Sequence, residues 1–165
     1  MKLLPTLLRP RAETEVAEPA ASVSLEPIRL IMRDADLAGW VRPDGLRVSD
    51  RLATGEPLWF LPATAVGDEW VPIDTSGVLL VMPPAHVSPP ERRVRRQLHE
   101  VIVRADRFWV SGTAHLMPGE EYDPYLRSTR PFLPLTGATL VSPEEQRQVD
   151  VVIVNLKQAD EFRVV

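Results

Sequence analysis

The sequence predicts an all-β protein made of two tandem small five-stranded barrels, and three observations lead to this prediction. A five-residue phrase, Phe60-Leu61-Pro62-Ala63-Thr64, returns as Phe132-Leu133-Pro134-Leu135-Thr136. Prolines (17), glycines (8) and β-branched residues are frequent along the chain, which favours short strands and turns over helices. Further matches flank both copies of the phrase, in the same order and at almost the same spacing.

The flanking matches indicate an internal duplication. The phrase repeats at an offset of 72, and the offset of the other matches stays between 71 and 73. Such small drift is what insertions and deletions in loops produce. The alternative is two unrelated β-rich stretches that share a proline-containing turn. The other matches pair Ile31-Met32-Arg33 with Ile102-Val103-Arg104, Gly39 with Gly112, Asp50 with Asp123, and Val78-Leu79-Leu80-Val81 with Val151-Val152-Ile153-Val154.

The repeat divides the chain into four segments. These are a tail at 1–26 that is predicted to be flexible, a first barrel repeat at 27–83, a basic linker at 84–97 and a second barrel repeat at 98–165. Units this small bury a limited core and usually need support from a disulfide, a metal or a neighbour. The chain has no Cys, so we expect packing of one unit on the other, or oligomerisation, to supply that support.

The first unit begins with an alternating strand from Ile28 to Arg33, followed by a second strand from Leu37 to Val41. Pro43-Asp44-Gly45 is a strong turn signal, and Asp50 to Leu52 is predicted to form one helical turn with Ser49 as its N-cap. The remaining expected strands are Trp59–Pro62, Ala63–Val66, Trp70–Ile73 and Val78–Met82.

The linker and the second unit are interpreted in the same way. Pro90 is predicted to open a short helix from Glu91 to Glu100. Tyr122 to Leu126 is the expected helical turn of the second unit. The expected strands of this unit are Val101–Val103, Phe108–Ala114, Phe132–Val141, Val149–Asn155 and Phe162–Val165.

The second unit resembles Sm-like (LSm-type) proteins, whose subunits are SH3-like barrels. Trp109 to Leu116 looks like their bent second strand, and Val151 to Asn155 looks like their closing strand pair. The unit is also similar to uncharacterised bacterial domains in which a strand pair ending in Gly-Thr-x-His-Leu precedes a Phe-Leu-Pro-Leu-Thr strand. The resemblance implies barrels that join into rings by edge-strand pairing, and RNA binding in many members.

The RNA pocket of Sm-like proteins uses an Asp and an Asn in one loop and an Arg-Gly pair in another. Asp123 matches that Asp, but no Asn follows it nearby and the chain has no Arg-Gly pair. The resemblance therefore favours the barrel and its assembly over RNA binding.

The charge of the chain is unevenly distributed. The net charge is −4, and residues 28–83 and 98–165 each carry −3, whereas residues 84–97 carry +3. An acidic body disfavours extended binding to a phosphate backbone. The linker arginines are either a solvated face that meets the acidic units, or a contact for an acidic partner or a nucleic acid. They are Arg92, Arg93, Arg95 and Arg96.

The tail offers a second candidate contact, an apolar cluster in a stretch otherwise rich in Pro, Ala and Glu. The cluster is either a frayed end or a docking peptide that orders on a partner. It is too short for a signal peptide, and no apolar run approaches the ~20 residues of a membrane span, so a cytoplasmic protein is expected. The cluster consists of Leu3, Leu4, Leu7 and Leu8.

No catalytic, metal or cofactor site is predicted. The three histidines, His86, His99 and His115, lack the converging ligands that a metal site needs. Glu120-Glu121 and Glu144-Glu145 fall in predicted turns, where solvated charge is the commoner explanation. No glycine-rich phosphate loop occurs in the sequence.

The four tryptophans are assigned to core or interface packing, because neighbouring residues in the sequence do not support base stacking. They are Trp40, Trp59, Trp70 and Trp109.

These patterns predict a non-catalytic assembly or adaptor module that acts through protein–protein contact or self-association. Two barrels per chain would let about three chains close a pseudo-hexameric ring. The alternative is an RNA-binding or other nucleic-acid-binding regulator of Sm-like type that uses the linker arginines.

Overall fold

The structure, a computed structural model, describes residues 24–85, 96–120 and 124–165, with the side chains of 124–126 excepted. In these residues ten β-strands form one antiparallel sheet, accompanied by two short α-helices and a 3-10 helix. The predicted all-β class is confirmed. No helix in these three ranges is long and apolar enough to cross a membrane.

Short strands alternate with tight turns, as the frequent Pro and Gly residues predict. The strands of the first half are β1 (Glu26–Met32), β2 (Asp36–Val41), β3 (Leu58–Pro62), β4 (Val71–Ile73) and β5 (Val78–Met82). Those of the second half are β6 (Gln97–Ala105), β7 (Phe108–Leu116), β8 (Phe132–Val141), β9 (Gln146–Asn155) and β10 (Glu161–Val164). The helices are α1 (Val48–Ala53), the 3-10 helix (Thr75–Gly77) and α2 (Pro124–Thr129).

The strands lie in the order β10-β6-β7-β8-β9-β5-β1-β2-β3-β4. Both halves have the same internal order, in which the fifth strand pairs with the first and the third strand pairs with the fourth. The sheet is not closed, because β10 and β4 are its two edges. The sequence predicts two closed barrels, whereas the structure has one continuous open sheet. Closing the first barrel would require β5 to pair with β4, but β5 pairs with β9 of the other half.

Strands β5 and β9 join the two halves, with Leu80 opposite Val154 at the seam. The sequence matched Val78–Val81 with Val151–Val154 as equivalent segments, and this match is wrong. The two segments are neighbours in the sheet, and strand order makes β5 the counterpart of β10 and β4 the counterpart of β9. Both segments are apolar runs because a strand in the middle of a sheet is buried on both faces.

Two hydrophobic cores lie on opposite faces of the sheet at this seam. The first core is built mainly from the first half but also contains Phe132 and Ile153 of the second half. The second core is built mainly from the second half but also contains Ile31, Leu79 and Leu80 of the first half. Consecutive strand residues point to opposite faces, so β9 places Ile153 in the first core and the residues beside it in the second.

Both phenylalanines of the repeated phrase lie in the first core. Phe60 is fully buried on β3, and Phe132, at the start of β8, is 8% exposed. Helix α1 of the first half also packs against β8. The two halves therefore interlock, and neither core is complete without the other half.

A buried asparagine fixes the position of β5 relative to β9. The Asn155 side chain is buried, and its Nδ2 donates a hydrogen bond of 2.8 Å to the carbonyl oxygen of Val78. Its Oδ1 accepts a hydrogen bond of 3.1 Å from the backbone N–H of Lys157. Nearby, Nε2 of Gln158 donates to the Ser76 carbonyl oxygen at 2.9 Å. A slipped register would leave the Asn155 amide without these partners, at a cost of about 1–3 kcal/mol.

Two glycines allow close approach between neighbouring strands. Gly39 on β2 lies beneath the Leu61 carbonyl and the Phe60 ring of β3. Gly112 on β7 lies against Ala138, where β8 has a bulge and Gly137 adopts a φ of 56°. Such a left-handed φ is typical of the first residue of a glycine bulge.

The predicted cap of the first helix is wrong. Helix α1 begins at Val48, with Arg47 at the N-cap position and no side-chain capping hydrogen bond, so Ser49 lies inside the first turn. Val48 and Leu52, four residues apart, are both buried in the first core. The apolar spacing of these two residues, rather than a polar cap, sets the position of the helix.

Two further predictions of local structure are wrong. The helix predicted from Glu91 to Glu100 overlaps β6, which begins at Gln97 and pairs with β7 along its whole length. Residues Ala63 to Val66 form a turn instead of a strand, because the N–H of Ala65 bonds the carbonyl oxygen of Pro62 directly after β3.

Candidate binding cleft

A cleft with a volume of about 560 Å³ opens on the first half, beside the start of edge strand β4. This volume lies within the range of small-ligand and peptide-residue pockets. The loop after β2, helix α1, strand β3 and the residue before β4 all contribute to its wall. The lining side chains on which its chemistry depends are Arg42, Asp44, Arg51, Glu56, Trp59 and Trp70.

The predicted Pro43-Asp44-Gly45 turn positions one side of the cleft. Gly45 has a φ of 79°, which glycine adopts without strain. Oδ1 of Asp44 accepts hydrogen bonds from the Leu46 N–H at 3.0 Å and from Nη2 of Arg51 at 2.5 Å. Desolvation opposes the effect of these bonds, but together with the Arg51 charge they hold the pKa of Asp44 below its usual value. The carboxylate therefore stays ionised and keeps Arg51 in place.

An arginine stacked on a tryptophan forms another side of the cleft. The guanidinium carbon of Arg42 lies 4.6 Å from the centroid of the Trp70 ring. This distance is within the range of a cation–π interaction, which contributes about 0.5–1 kcal/mol at an exposed site. The contact holds a positive charge over an aromatic wall.

Trp59 supplies the open aromatic surface of the cleft. It lies on β3 opposite Pro72 of β4, and 60% of its side chain is exposed. The sequence assigns this tryptophan to core or interface packing; Trp59 does not lie in the core, and interface packing stays a prediction. On the period-2 pattern of β3 the residue alternates with the buried Leu58 and Phe60, so it must point away from the core.

Two N–H groups in the cleft wall lack hydrogen-bond partners among the described residues. They are Nε1 of Trp70 and Nε of Arg51, and both atoms are buried. A buried donor without a partner costs about 1–3 kcal/mol.

The charges that line the cleft are balanced. Arg42 and Arg51 contribute two positive charges, and Asp44 and Glu56 contribute two negative charges. Phosphate chains are bound by clustered positive charge, which this cleft does not provide. Exposed aromatic surface with charged edges is better suited to a short extended peptide.

Most of the predicted contact residues lie outside the described residues. Arg96 is the exception; it is exposed, directly before β6, and does not line the cleft. The residues outside the described ranges are Leu3, Leu4, Leu7, Leu8, Arg92, Arg93 and Arg95.

The outer face of the second half carries a row of hydrogen-bonded polar side chains. Oγ1 of Thr113 donates to a Glu100 carboxylate oxygen, and Nε2 of His115 lies 2.8 Å from Oγ1 of Thr136. Burial, and secondarily the positive charge of Arg96, lowers the pKa of His115 below its ordinary value. The imidazole is therefore neutral near pH 7, where it is a hydrogen-bonding group and not a cation.

The carboxylate pairs have structural surroundings where the structure describes them. The Glu120 carboxylate accepts a hydrogen bond from the Met117 N–H at 2.8 Å and binds Nη1 of Arg130 at 2.9 Å. Glu145 forms an ion pair of 3.6 Å with Arg147. Glu121 and His86 lie outside the described residues. Within those residues, no three His, Asp or Glu side chains converge as metal ligands.

Sequence reasoning missed the residues that surround the tryptophans. It found no basic neighbours, yet the fold places Arg42 and Arg51 in the same cleft wall as Trp59 and Trp70. No local signal could reveal this, because the four residues come from four different segments and meet only when β2, β3 and β4 pair. The sequence predicts the local elements that carry these residues, such as the turn at Asp44 and the helical turn at Arg51, but not that they meet in one cleft.

No protein-family model matches the chain, and no curated protein or solved structure matches it.

Proposed function

We propose that the chain is a non-catalytic assembly or adaptor module of two tandem Sm-like units, acting through protein–protein contact in the cytoplasm. The observation that supports this proposal is the seam between β5 and β9, where the fifth strand of one half pairs with the fourth strand of the other. Edge-strand pairing is how Sm-like proteins join. The common strand order of the two halves supports the duplication on which the proposal depends.

The free edges offer the same pairing to further copies. Among the strands that the structure describes, β4 is a fourth strand without a fifth-strand partner, and β10 is a fifth strand without a fourth-strand partner. Pairing β10 of one chain with β4 of the next would repeat the internal seam. Such a head-to-tail contact closes into a ring if its rotation permits and otherwise continues as a filament. A ring of about three chains would contain six units.

Light scattering and native mass spectrometry at micromolar concentration test the assembly. We expect a mass that is a multiple of 18.5 kDa, with three chains as the ring model. Val164 and Val165, 50% and 83% exposed, lie at the free edge, and replacing both with Lys should release single chains because edge lysines oppose strand addition. Leu98→Lys is the matched control, since Leu98 is also exposed but lies on β6 inside the sheet. A wild-type chain that is strictly monomeric would refute the ring.

A second candidate function is nucleic-acid binding through Arg92, Arg93, Arg95 and Arg96. The observation that favours it is the exposure of Arg96, the one of these four arginines that the structure describes, directly before β6. Replacing the four arginines with Ala should then abolish binding of single-stranded RNA in a low-salt filter assay. Four phosphate contacts imply weak binding that falls steeply as salt is added. Absence of binding by the wild-type chain at low salt would exclude this function.

A further inference from the structure

Apolar surface is exposed at both free edges of the sheet. At the edge formed by β10, Val164 is 50% exposed, and Phe162 is only half-buried although it packs against the second core. At the edge formed by β4, Trp59 and Pro57 are exposed in the cleft, and Pro72 is exposed on the same face, opposite Trp59. Exposed apolar patches on a protein surface mark sites of interaction.

Inside the chain, surfaces of this kind cover each other at the seam between β5 and β9. Val81 of β5 is fully buried, and Ile153 of β9 lies directly opposite it. Ile153 and Phe132 belong to the second half but point away from the second core and into the first. The first core is therefore completed by the outer face of the second half.

The register of the sheet makes Phe162 the counterpart of Val81. Val81 lies opposite Leu30 of β1, and Phe162 lies opposite Val103 of β6. Leu30 and Val103 hold the same position in the two halves, because each lies two residues after the one that faces the matched glycine of the second strand. Each also points into the core of its own half. The edge of β10 therefore corresponds to the edge that β5 presents to β9.

The same register relates β3 to β8. Leu61 and Thr136 pair with the residues that follow the two matched glycines, and Leu58 and Leu133 lie three residues before them. Leu58 and Leu133 both point into the core of their own half, so they are counterparts in the fold. The sheet, and not the repeated phrase, therefore defines which residues of the two halves correspond.

The cleft face of the first half corresponds to the outer face with which the second half completes the first core. Pro57 and Phe132 directly precede the two counterpart leucines. Pro72 and Ile153 each lie opposite the residue that follows those leucines. Pro57 and Pro72 are thus the counterparts of Phe132 and Ile153, but both are exposed.

We propose that the cleft is one half of an intermolecular core, and that the second half of another copy of the chain completes it. This inference rests on the assembly proposed above and adds its register. Phe162 of one copy lies opposite Pro72 of its neighbour, which is the pairing that their counterparts make at the seam. Phe162 and Val164 then pack on the cleft face beside Trp59, and β10 adds to β4 as an extended segment adds to a sheet edge.

Packing of side chains contributes more to this contact than backbone pairing. Pro72 has no N–H, so it donates no hydrogen bond to an added strand, and the new ladder has one bond fewer than a regular strand pair. Trp59 is 60% exposed on β3, so it faces the added strand without belonging to the new ladder. Large aromatic side chains are common anchors of protein interfaces, and Trp59 is the side chain expected to determine the affinity.

Association of the full-length chain, measured by analytical ultracentrifugation, tests the role of Trp59. Trp59→Ala should raise the dissociation constant about tenfold or more. The circular dichroism spectrum should not change, because the side chain is exposed. Trp109→Ala is the matched control; Trp109 is 39% exposed on β7, away from both edges, so the constant should stay the same. An equal constant for Trp59→Ala and the wild type overturns this inference but leaves the proposed assembly standing.

Disulfide trapping between chains tests the register. The chain has no Cys, so two single-cysteine variants can be mixed, one of them isotope-labelled so that its mass identifies mixed dimers. Val71→Cys and Arg163→Cys lie opposite each other in the proposed register and should form a mixed dimer on mild oxidation. Val71→Cys with Glu161→Cys is displaced by two residues and should form much less, because bridged cysteines need close Cα atoms. Equal trapping of both pairs overturns the inference.

The state of the wild-type chain separates this inference from the assembly on which it rests. A chain that stays single at every concentration refutes both. Shifts of the Trp59 indole signal of such a chain on addition of a polyproline peptide, or of single-stranded RNA, would assign the cleft to that partner instead.

Discussion

Replacing Gly39 with alanine is expected to destabilise the protein by about 3 kcal/mol, the upper part of the range for overpacking. The added Cβ would overlap the carbonyl oxygen of Leu61 and lie 2.5 Å from the ring of Phe60. The Leu61 oxygen belongs to the backbone of β3, and Phe60 is fully buried, so neither can move without displacing the first core. Chemical denaturation followed by circular dichroism measures the loss as a lower midpoint.

Alanine substitutions at two other glycines are expected to destabilise the protein less than Gly39→Ala, because the added Cβ has more room. A Cβ at Gly112 would lie 3.1 Å from the Cβ of Ala138, a tight contact that should cost about 1 kcal/mol. A Cβ at Gly77 would meet only the flexible end of Met32, at 3.2 Å, so Gly77→Ala should be nearly neutral. If Gly39→Ala were as well tolerated as Gly77→Ala, strand β3 could not lie as close to β2 as the structure places it.

Patterns that depend on neighbouring residues were predicted well from the sequence. The Phe132–Val141 and Val78–Met82 strands were predicted with their observed bounds, because the β propensity of each run is bounded by proline or turn residues. The predicted Ser49 cap and the predicted Glu91–Glu100 helix are wrong because both rest on local signals, a capping residue and a proline. Tertiary packing sets the start of α1, and strand pairing determines the structure from Gln97 onward. Local propensity is a weak prior when a buried face is available.

The pairing of strands was not predictable from the same patterns. An apolar run such as Val78–Val81 shows that a strand is buried on both faces, but it does not say which strand covers its edge. Asn155 and Val78, which fix that choice, are 77 residues apart. The similarity of Val78–Val81 to Val151–Val154 predicts that they are counterparts in the two repeats. Both runs are instead apolar because they lie on adjacent strands that are buried at one seam.

The cleft lies where the two copies of the sequence differ. Trp59 stands immediately before the first copy of the phrase, and the corresponding position before the second copy is Pro131. Residues shared by both copies, such as Phe60 and Phe132, serve the core, so comparison of the copies finds structural positions. Specific binding chemistry is therefore expected at residues that differ between the two copies. The sequence identifies these residues but does not show which of them lie close together in the fold.

Replacing Phe132 with alanine should lower the free energy of unfolding by about 3–5 kcal/mol, the usual cost of emptying a buried phenylalanine site. The side chain belongs to the second half of the chain but lies in the first core, which also contains Phe60. Because the cores share residues across the seam, we expect both halves to unfold in one cooperative transition, in the wild type and in the variant. Denaturation followed by NMR signals from each half measures both midpoints at once.

Whether the two halves unfold together is decided by comparing the unfolding midpoint of each half in the Phe132→Ala variant. If the halves interlock, signals of Trp59 in the first half and Trp109 in the second should shift to the same lower midpoint. Leu98→Ala is the matched control; Leu98 is 65% exposed, so its truncation should change stability by less than about 0.5 kcal/mol. A Phe132→Ala variant whose first half keeps the wild-type midpoint would mean that the first half forms its core alone. In that case the seam between β5 and β9 would be a contact between two independent units, as the two-barrel prediction has it, and not part of a common core.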